Sequence, residues 1–308
     1  MNSIESISIE VTNNCNNNCL ICPHGHNLIT KKGFMTIEIF ETILNKIDVL
    51  KYNIKLELHG IGESLLHPQL LDMISLSTKK GFTSVLCTNA IVLTLDKAKK
   101  MFDNGLKRLV FSLETRENYE KIRSHNIYDF VLENIKNIAS NIPGIEIEIF
   151  WIYLGNETDE DYDKFKKQFE NSHIIFNRFR ACNWRGKIKF DGLLEKSGKY
   201  VRKYECPLFK KYCSIDFLGN IRHCYLDYNS EYVLGNLLDK DFEDIWLSKK
   251  RKGYIEKMKN AEYSNFYPCC ECVFPFVDRP EQILDEAFSP SDLKRPEMQL
   301  LSKIKTKV

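Results

Sequence analysis

The sequence has little net charge and no long apolar run. Its 44 lysines and arginines nearly balance 42 aspartates and glutamates, which gives a formal net charge of +2 over 308 residues. A chain this balanced has no general attraction for nucleic acid or anionic membranes. No apolar stretch approaches the roughly 18 residues of a membrane span, and the first residues lack the basic and apolar regions of a secretory signal. We expect a cytoplasmic protein with no nucleic-acid partner and no membrane partner.

Cysteine, by contrast, is abundant. The chain has 11 cysteines, and cytosolic proteins rarely use cysteine for disulfides. Nine of them fall into two groups, one near the N-terminus and one in the last third: Cys15, Cys19 and Cys22, then Cys206, Cys213, Cys224, Cys269, Cys270 and Cys272. Two metal-binding regions are therefore expected on either side of a cysteine-poor body.

Strand-like and helix-like patterns alternate along the first 180 residues. The patterns predict strands near 7–11, 54–59, 82–87, 107–113, 145–153 and 173–179. They predict helices near 36–50, 68–79, 95–104, 159–170 and in stretches up to about 140. This alternation is typical of βα units and a parallel sheet, and about six repeats are too few for a closed eight-stranded barrel. We predict an α/β fold, a partial (βα)6 TIM-like barrel with its site at the C-terminal ends of the strands.

The pattern changes after about residue 181 to short segments, turns and cysteines. Residues 217–222 predict a hairpin with Gly219 in its turn, and residues 240–260 predict a helix. We therefore expect a barrel domain over 1–181, a small metal-binding domain over 182–278, and a C-terminal helix and tail over 279–308.

The first cysteine group has the spacing C-x3-C-x2-C and follows the first predicted strand. Thiolates from Cys15, Cys19 and Cys22 can hold three irons of a [4Fe–4S] cluster and leave the fourth iron open for a ligand. The alternative is a zinc site with His24 or His26 as the fourth ligand. The spacing alone leaves both interpretations open.

Four later segments, together with this motif, resemble the radical S-adenosylmethionine (SAM) superfamily. They are Gly60-Ile61-Gly62-Glu63, Leu86-Cys87-Thr88-Asn89-Ala90, Ser112-Leu113-Glu114 and Lys121-Ile122-Arg123. Each segment alone has an ordinary structural explanation, such as a turn or a solvated helix charge, but their order favours the superfamily. The chain departs from the family pattern at Ile21, usually aromatic, at Ala90, usually glycine, and at Glu114, usually aspartate.

The resemblance implies a mechanism and a set of cofactor contacts. Cys15, Cys19 and Cys22 would hold the SAM-binding cluster, with SAM contacts from Gly60, Gly62, Glu63, Asn89, Ser112, Glu114 and Arg123. A flavodoxin or ferredoxin-type donor would reduce the cluster. One electron would then cleave SAM to methionine and a 5′-deoxyadenosyl radical, and that radical would remove a hydrogen atom from the substrate. The cofactor performs the chemistry, while the protein orients the substrate.

The second cysteine group supplies ligands for another metal site. Four thiolates, from Cys206, Cys224, Cys269 and Cys272, could complete a [4Fe–4S] cluster or a structural zinc site. The spacing resembles the opening of the SPASM domain in its truncated twitch form, which implies one auxiliary [4Fe–4S] cluster and two clusters in all. Cys270 is predicted not to be a ligand, because adjacent cysteines tend to point apart.

The expected auxiliary cluster and the position of the first strand indicate a type of reaction and a class of substrate. An auxiliary cluster that accepts an electron favours a two-electron oxidation by a radical SAM oxidoreductase. The early first strand and the single auxiliary cluster favour a sugar or an aminocyclitol-like small molecule, as in natural product biosynthesis. A peptide-modifying maturase, performing crosslinking or epimerisation, is the alternative, and a zinc-binding non-enzymatic module is a more distant one. Candidate residues at the substrate are Arg180, Arg185, Cys182 and Cys213, with Arg178, Asn183 and Trp184 nearby.

Overall fold

The computed structural model describes most of the chain. The described residues are 4–48, 54–154, 157–169, 173–190, 206–260, 262–263, 269–270 and 272. The predicted tail over 279–308 lies outside them. No helix in these ranges is long and apolar enough to cross a membrane.

Six parallel strands form the larger part of the sheet. They are β1 (Ser6–Ile9), β2 (Lys55–Leu58), β3 (Thr83–Thr88), β4 (Arg108–Leu113), β5 (Glu146–Tyr153) and β6 (Ile174–Arg180). Each strand pairs in parallel with the next one in the chain, so the order in space is the order in sequence. This arrangement confirms the predicted (βα)6 series.

Helices connect these strands at the predicted places. They are α1 (Ile37–Asn45), α2 (Leu70–Lys79), α3 (Leu95–Asp103), α4 (Arg116–Ile122), α5 (Tyr128–Asn141) and α6 (Asp159–Lys167). The Thr36 hydroxyl caps α1 by accepting a hydrogen bond from the Ile39 amide at 3.3 Å. Helix α1 ends earlier than the predicted residue 50, because the Lys46 amide bonds to the Ile43 and Leu44 carbonyls in a tightened last turn.

The cysteine-rich region continues the same sheet. Strand β7 (Tyr212–Ile215) follows helix α7 (Pro207–Lys211) and pairs in parallel with β1. Strands β8 (Asn220–Arg222) and β9 (Val233–Asn236) then add antiparallel neighbours. The turn between β7 and β8 contains Gly219 at a φ of 84°, which confirms the predicted hairpin.

The helix predicted over 240–260 is two helices. They are α8 (Phe242–Trp246) and α9 (Lys249–Lys259). The chain breaks between them because the Ser248 hydroxyl accepts a hydrogen bond from the Arg251 amide at 3.2 Å and so starts a new helix.

The core lies between the sheet and its helices. Ile7 and Ile9 of β1, Leu56 of β2 and Phe40 of α1 are fully buried, and burial of each such side chain contributes about 1.5–3 kcal/mol. Because the strands are parallel, their C-terminal ends share one edge of the sheet. The first cysteine group and the segments after β2 and β3 lie at that edge.

Candidate metal and cofactor sites

The three N-terminal cysteines are brought close together by a tight turn after β1. The Cys22 amide donates to the Cys19 carbonyl at 3.0 Å, and a 3-10 turn begins at Pro23. Burial raises the pKa of the Cys15 thiol to about 11, and neighbouring cysteine charge adds to the effect. Burial also raises the pKa of Cys22, again with contributions from Cys19 and Cys15. Ionisation of these thiols is favoured by positive charge nearby, from an arginine or from a bound metal.

The two histidines considered as a fourth zinc ligand differ in their contacts. The His26 ring nitrogen Nε2 lies 2.6 Å from the Leu20 carbonyl oxygen and is engaged there, whereas the His24 Nε2 is buried and has no hydrogen-bond partner among the described residues. Within the described ranges, no three Cys, His, Asp or Glu side chains converge at the spacing that a single metal ion requires. Tetrahedral zinc needs four such donors at about 2.0–2.3 Å, whereas a four-iron cluster spreads its thiolate ligands over several ångströms.

Glu63 fixes the end of β3 beside the cysteines. Its buried carboxylate accepts hydrogen bonds from the Thr88 hydroxyl at 2.9 Å and the Asn89 amide at 2.8 Å. The Asn89 side chain then lies with Nδ2 at 3.9 Å from the Cys15 sulfur. The next residue, Ala90, has a φ of 62°, the left-handed conformation that favours glycine. The departure from the family pattern at Ala90 is therefore accommodated with strain.

The two glycines before Glu63 are required by the protein's own packing. A Cβ at Gly62 would lie 2.4 Å from the Thr12 carbonyl oxygen and 2.6 Å from that of Asn14. A Cβ at Gly60 would lie 2.4 Å from the Glu10 carboxylate. The glycines thus let the segment after β2 approach the segment that leads into Cys15.

Arg123 connects β4 to the cysteine turn. Its guanidinium donates to both Glu114 carboxylate oxygens, at 2.9 and 2.6 Å, and to the Ser112 hydroxyl at 3.0 Å. Another of its nitrogens, Nη1, lies 3.6 Å from the Cys19 sulfur. The Glu114 side chain is 0% exposed, so the ion pair is protected from solvent. This geometry places a positive charge beside the first cysteine group.

A buried ion pair that the sequence analysis missed supports the same edge. Glu10 and Arg222 lie 3.2 Å apart with side chains 2% and 1% exposed. The Glu10 carboxylate also accepts from the Ile61 amide at 2.9 Å. The available signal was a charged residue, Glu10, between the buried apolar residues Ile9 and Val11, but its partner lies more than 200 residues away.

The four C-terminal cysteines line one pocket. Its lining consists of Arg185, Cys206, Leu208, Phe209, His223, Cys224, Leu226, Met258, Cys269 and Cys272. Burial raises the pKa of the Cys224 thiol, and the charges of the other three cysteines raise it further. The structure therefore brings together the four residues that the spacing selected, and their number and type suit an iron–sulfur cluster.

Cys270 differs from its two neighbours. The Cys272 amide donates to the Cys269 carbonyl at 3.2 Å, which turns the chain between them. Cys269 and Cys272 are buried and line the pocket, whereas Cys270 is half-buried and is not part of the lining.

A strained segment lies between the two cysteine groups. Trp184, Arg185 and Gly186 have positive φ values of 47°, 60° and 77°. The Trp184 indole donates to the Ile21 carbonyl at 2.8 Å, next to Cys22. Two successive side chains in the left-handed conformation cost roughly 1–3 kcal/mol each and are typical of functional sites.

Tyr225 occupies the space between the two groups. Its ring centroid lies 5.5 Å from that of His59 and 6.1 Å from that of Trp184. Burial raises the pKa of Tyr225, and the thiols of Cys87, Cys182 and Cys22 raise it further. Sequence reasoning missed this residue, although it directly follows Cys224.

The other candidates at the substrate are dispersed. Arg178 lies over the Tyr162 ring at 4.3 Å and pairs with Asp159 on the helix side of the sheet. Cys213 is packed in the main hydrophobic core. Burial raises the pKa of Cys182 to about 12, and the charge of Cys272 raises it further. The side chain of Arg180 lies outside the described residues.

Models of two protein families match the chain. The model of the radical SAM superfamily matches residues 9–169. SPASM, described as an iron–sulfur cluster-binding domain, matches residues 206–273. Both resemblances predicted from the sequence are confirmed.

Similar proteins include small-molecule enzymes and protein-modifying ones. The S-adenosyl-L-methionine-dependent 2-deoxy-scyllo-inosamine dehydrogenase of Niallia circulans is 21% identical over 90% of this chain and 95% of its own. The tungsten-containing aldehyde ferredoxin oxidoreductase cofactor-modifying protein of Pyrococcus furiosus is 25% identical over 86% of each chain.

Solved structures share the fold. BtrN in complex with AdoMet and 2-DOIA has a TM-score of 0.63 at 17% identity, covering 88% of this chain and 93% of its own. SuiB of Streptococcus suis bound to precursor peptide SuiA has a TM-score of 0.65 at 13% identity, covering 88% of this chain and 70% of its own. The expected resemblance to the aminocyclitol dehydrogenase of butirosin biosynthesis is confirmed by the similarity of this chain to BtrN.

Proposed function

The chain belongs to the radical SAM superfamily, and on that premise we propose that Cys15, Cys19 and Cys22 hold a SAM-binding [4Fe–4S] cluster. The protein is a radical SAM enzyme that uses SAM and iron–sulfur chemistry. When bound, the cluster supplies the electron that cleaves SAM and produces the 5′-deoxyadenosyl radical. Three thiols brought together by one turn support this assignment, because three thiolate ligands leave one iron of the cluster free for SAM.

The chain's own residues prepare the SAM site in two ways. We propose that Gly60, Gly62 and Asn89 contact SAM directly. Glu63 and Glu114 act by holding Asn89 and Arg123 in place, as their hydrogen bonds suggest. Ser112 and Arg123 complete the site on the β4 side.

We propose a second [4Fe–4S] cluster in the pocket of Cys206, Cys224, Cys269 and Cys272. Four thiolates satisfy every iron of such a cluster, so it would exchange electrons without binding substrate. A flavodoxin or ferredoxin-type protein would supply the electron that starts the reaction.

The reaction that the site supports best is dehydrogenation of an alcohol on a sugar or aminocyclitol-like ring. The observation that carries this proposal is the second four-cysteine pocket beside Tyr225 and Cys182, together with similarity over nearly the whole chain to a dehydrogenase of that class. The stoichiometry balances. One SAM and one secondary alcohol give methionine, 5′-deoxyadenosine, a ketone and one proton, and the electron that cleaved SAM is recovered.

Anaerobic assays with 2-deoxy-scyllo-inosamine and with short peptides test the proposal. The ring alcohol should lose two mass units, and deuterium at its carbinol carbon should appear in 5′-deoxyadenosine. The variant Cys206→Ala/Cys224→Ala is the matched control. It should still cleave SAM but form no ketone, provided that SAM binding and circular dichroism remain native. Peptide modification, with no turnover of ring alcohols, would instead assign a maturase.

A further inference from the structure

Arg185 lines the four-cysteine pocket with a buried charge. Its side chain is 3% exposed. His223 also lines the pocket, with its Nε2 3.5 Å from the Cys269 sulfur. The remaining lining residues are cysteines and apolar side chains. Among the described residues of the pocket lining, Arg185 is therefore the one with a permanent positive charge, because a guanidinium does not lose its proton in proteins.

The guanidinium is held by one carbonyl and two carboxylates. It donates from Nε to the Leu226 carbonyl at 3.1 Å and from Nη2 to the Asp227 carboxylate at 3.1 Å, and Nη2 also lies 3.5 Å from the half-exposed Glu231 carboxylate. Asp227 is 0% exposed and does not line the pocket. It also accepts from the backbone amides of Glu231 and Tyr232, at 3.2 and 2.8 Å. The pair thus forms an oriented dipole with its positive end at the pocket.

We propose that Arg185 raises the reduction potential of the iron–sulfur cluster held by the four cysteines, so that this cluster accepts an electron more readily. The inference rests on the second cluster of the proposed function. Each electron that a thiolate-ligated cluster gains adds negative charge, and a nearby cation in a low-dielectric site stabilises that charge. Arg185 was predicted as a substrate contact, but its buried partners assign it to the cluster.

A redox titration distinguishes an electrostatic role of Arg185 from a purely structural one. The background is the full chain with Cys15→Ala, Cys19→Ala and Cys22→Ala, so that only the second site holds iron. Electron paramagnetic resonance of the reduced, reconstituted protein is followed against potential. We expect Arg185→Gln to shift the midpoint to more negative values and Asp227→Asn to shift it to more positive values. The double variant Arg185→Gln/Asp227→Asn should return toward the parent value.

Two further variants provide controls. Arg185→Lys keeps the charge and should keep most of the potential. Lys252→Gln removes an exposed cation outside the pocket lining, and solvent screening should leave the midpoint nearly unchanged. Iron content and circular dichroism establish that each variant is loaded and folded.

The titration distinguishes failure of the proposed second cluster from failure of the inference about Arg185. If the background protein binds no iron and shows no signal, the second cluster of the proposed function is wrong. If the signal is present but Arg185→Gln and Asp227→Asn shift the midpoint in the same direction, or not at all, Arg185 is only a structural clamp and the inference is overturned. If Arg185→Gln loses iron, Asp227→Asn alone is the test. A shift of its midpoint to more positive values supports the inference, and no shift or a negative shift overturns it.

Discussion

Trp184 and Arg185 are adjacent in the chain, but their side chains reach different cysteine groups. The Trp184 indole bonds to the Ile21 carbonyl beside Cys22, while Arg185 lines the pocket of the four C-terminal cysteines. Both residues have positive φ values. A backbone held in this strained form requires support from both sides. The segment therefore couples the positions of the two groups.

Gly62→Ala should disrupt the first cysteine group and leave the second intact. The new Cβ would lie 2.4 Å from the Thr12 carbonyl oxygen, and backbone on both sides cannot yield without moving the turn that leads into Cys15. We expect loss of SAM cleavage and of one cluster's iron, about half of the total for two four-iron clusters. Iron and sulfide analysis with a 5′-deoxyadenosine assay measures both.

Gly253→Ala is the matched control for this substitution. Gly253 lies in α9, and a Cβ there would have no atom within 4 Å. Alanine should keep full iron and stabilise the helix by up to about 1 kcal/mol. Full iron and normal SAM cleavage in Gly62→Ala would contradict the packing role of that glycine.

Arg123→Lys should lower SAM cleavage although it keeps the charge. The guanidinium bonds both oxygens of Glu114 and also reaches Ser112 and the Cys19 sulfur. Lysine cannot reproduce this fork, and losing a charged hydrogen bond in a buried site costs about 1.5–3 kcal/mol. We expect at least about a tenfold fall in cleavage rate, since 1.4 kcal/mol corresponds to a factor of ten.

Arg116→Lys serves as the comparison for that variant. Arg116 also pairs with a carboxylate, that of Asp129, but its side chain is 49% exposed. Exposed pairs contribute about 0–1 kcal/mol, so this variant should behave like the parent. Equal activity of the two lysine variants would show that the fork at Arg123 has no role in the SAM site.

The local pattern of the chain predicted most of the barrel. The alternation of apolar residues located all six parallel strands because each strand and helix is defined by its own periodicity. The break at Ser248 was missed, since the helical pattern continues across it while a single hydroxyl starts a new helix. The cysteine spacing also selected the four residues that share a pocket.

Long-range pairing was beyond the reach of the sequence. Ile7 pairs with Cys213 across the β1–β7 boundary, and Glu10 meets Arg222 in the core. Nothing in the local pattern of either residue specifies its partner. The orientation of Arg185 toward the cysteines depends on Asp227 and on a strained backbone, which periodicity does not encode.

Cys272→Ala should remove the iron of the second site, whereas Cys270→Ala should retain it. Cys272 lines the pocket with Cys269, and Cys270 does not. The two substitutions remove the same atom from residues two positions apart, so each is the control for the other. Iron analysis of anaerobically reconstituted protein measures the result. Loss of iron from Cys270→Ala alone would move the chelating pair by one position.

Acidification should destabilise the protein through His67, a histidine far in sequence from both cysteine groups. Its Nε2 lies 2.8 Å from the Met35 carbonyl oxygen, and its Nδ1 accepts from the Gln69 amide at 3.1 Å. These partners require the neutral ring with its proton on Nε2. Burial, the main cause, lowers the pKa of His67 from the usual 6.5.

The folded protein therefore binds a proton at His67 less readily than the unfolded chain does. Above about pH 6.5 both states are neutral at this residue and His67 adds no pH dependence. As the pH falls below that value the unfolded chain gains the proton first, so stability falls, by up to about 1.4 kcal/mol for each unit by which the pKa is lowered.

Anaerobic denaturant unfolding at pH 7.5 and 5.5 measures this effect in the parent and in His67→Gln. Glutamine offers a donor and an acceptor but does not titrate, so the variant should lose less stability on acidification than the parent. His173→Gln, at an exposed histidine, should keep the parent's full pH dependence. Parallel losses in the parent and His67→Gln would show that the folded protein accepts the proton at His67 without cost, and the neutral tautomer fixed by Met35 and Gln69 would then be wrong.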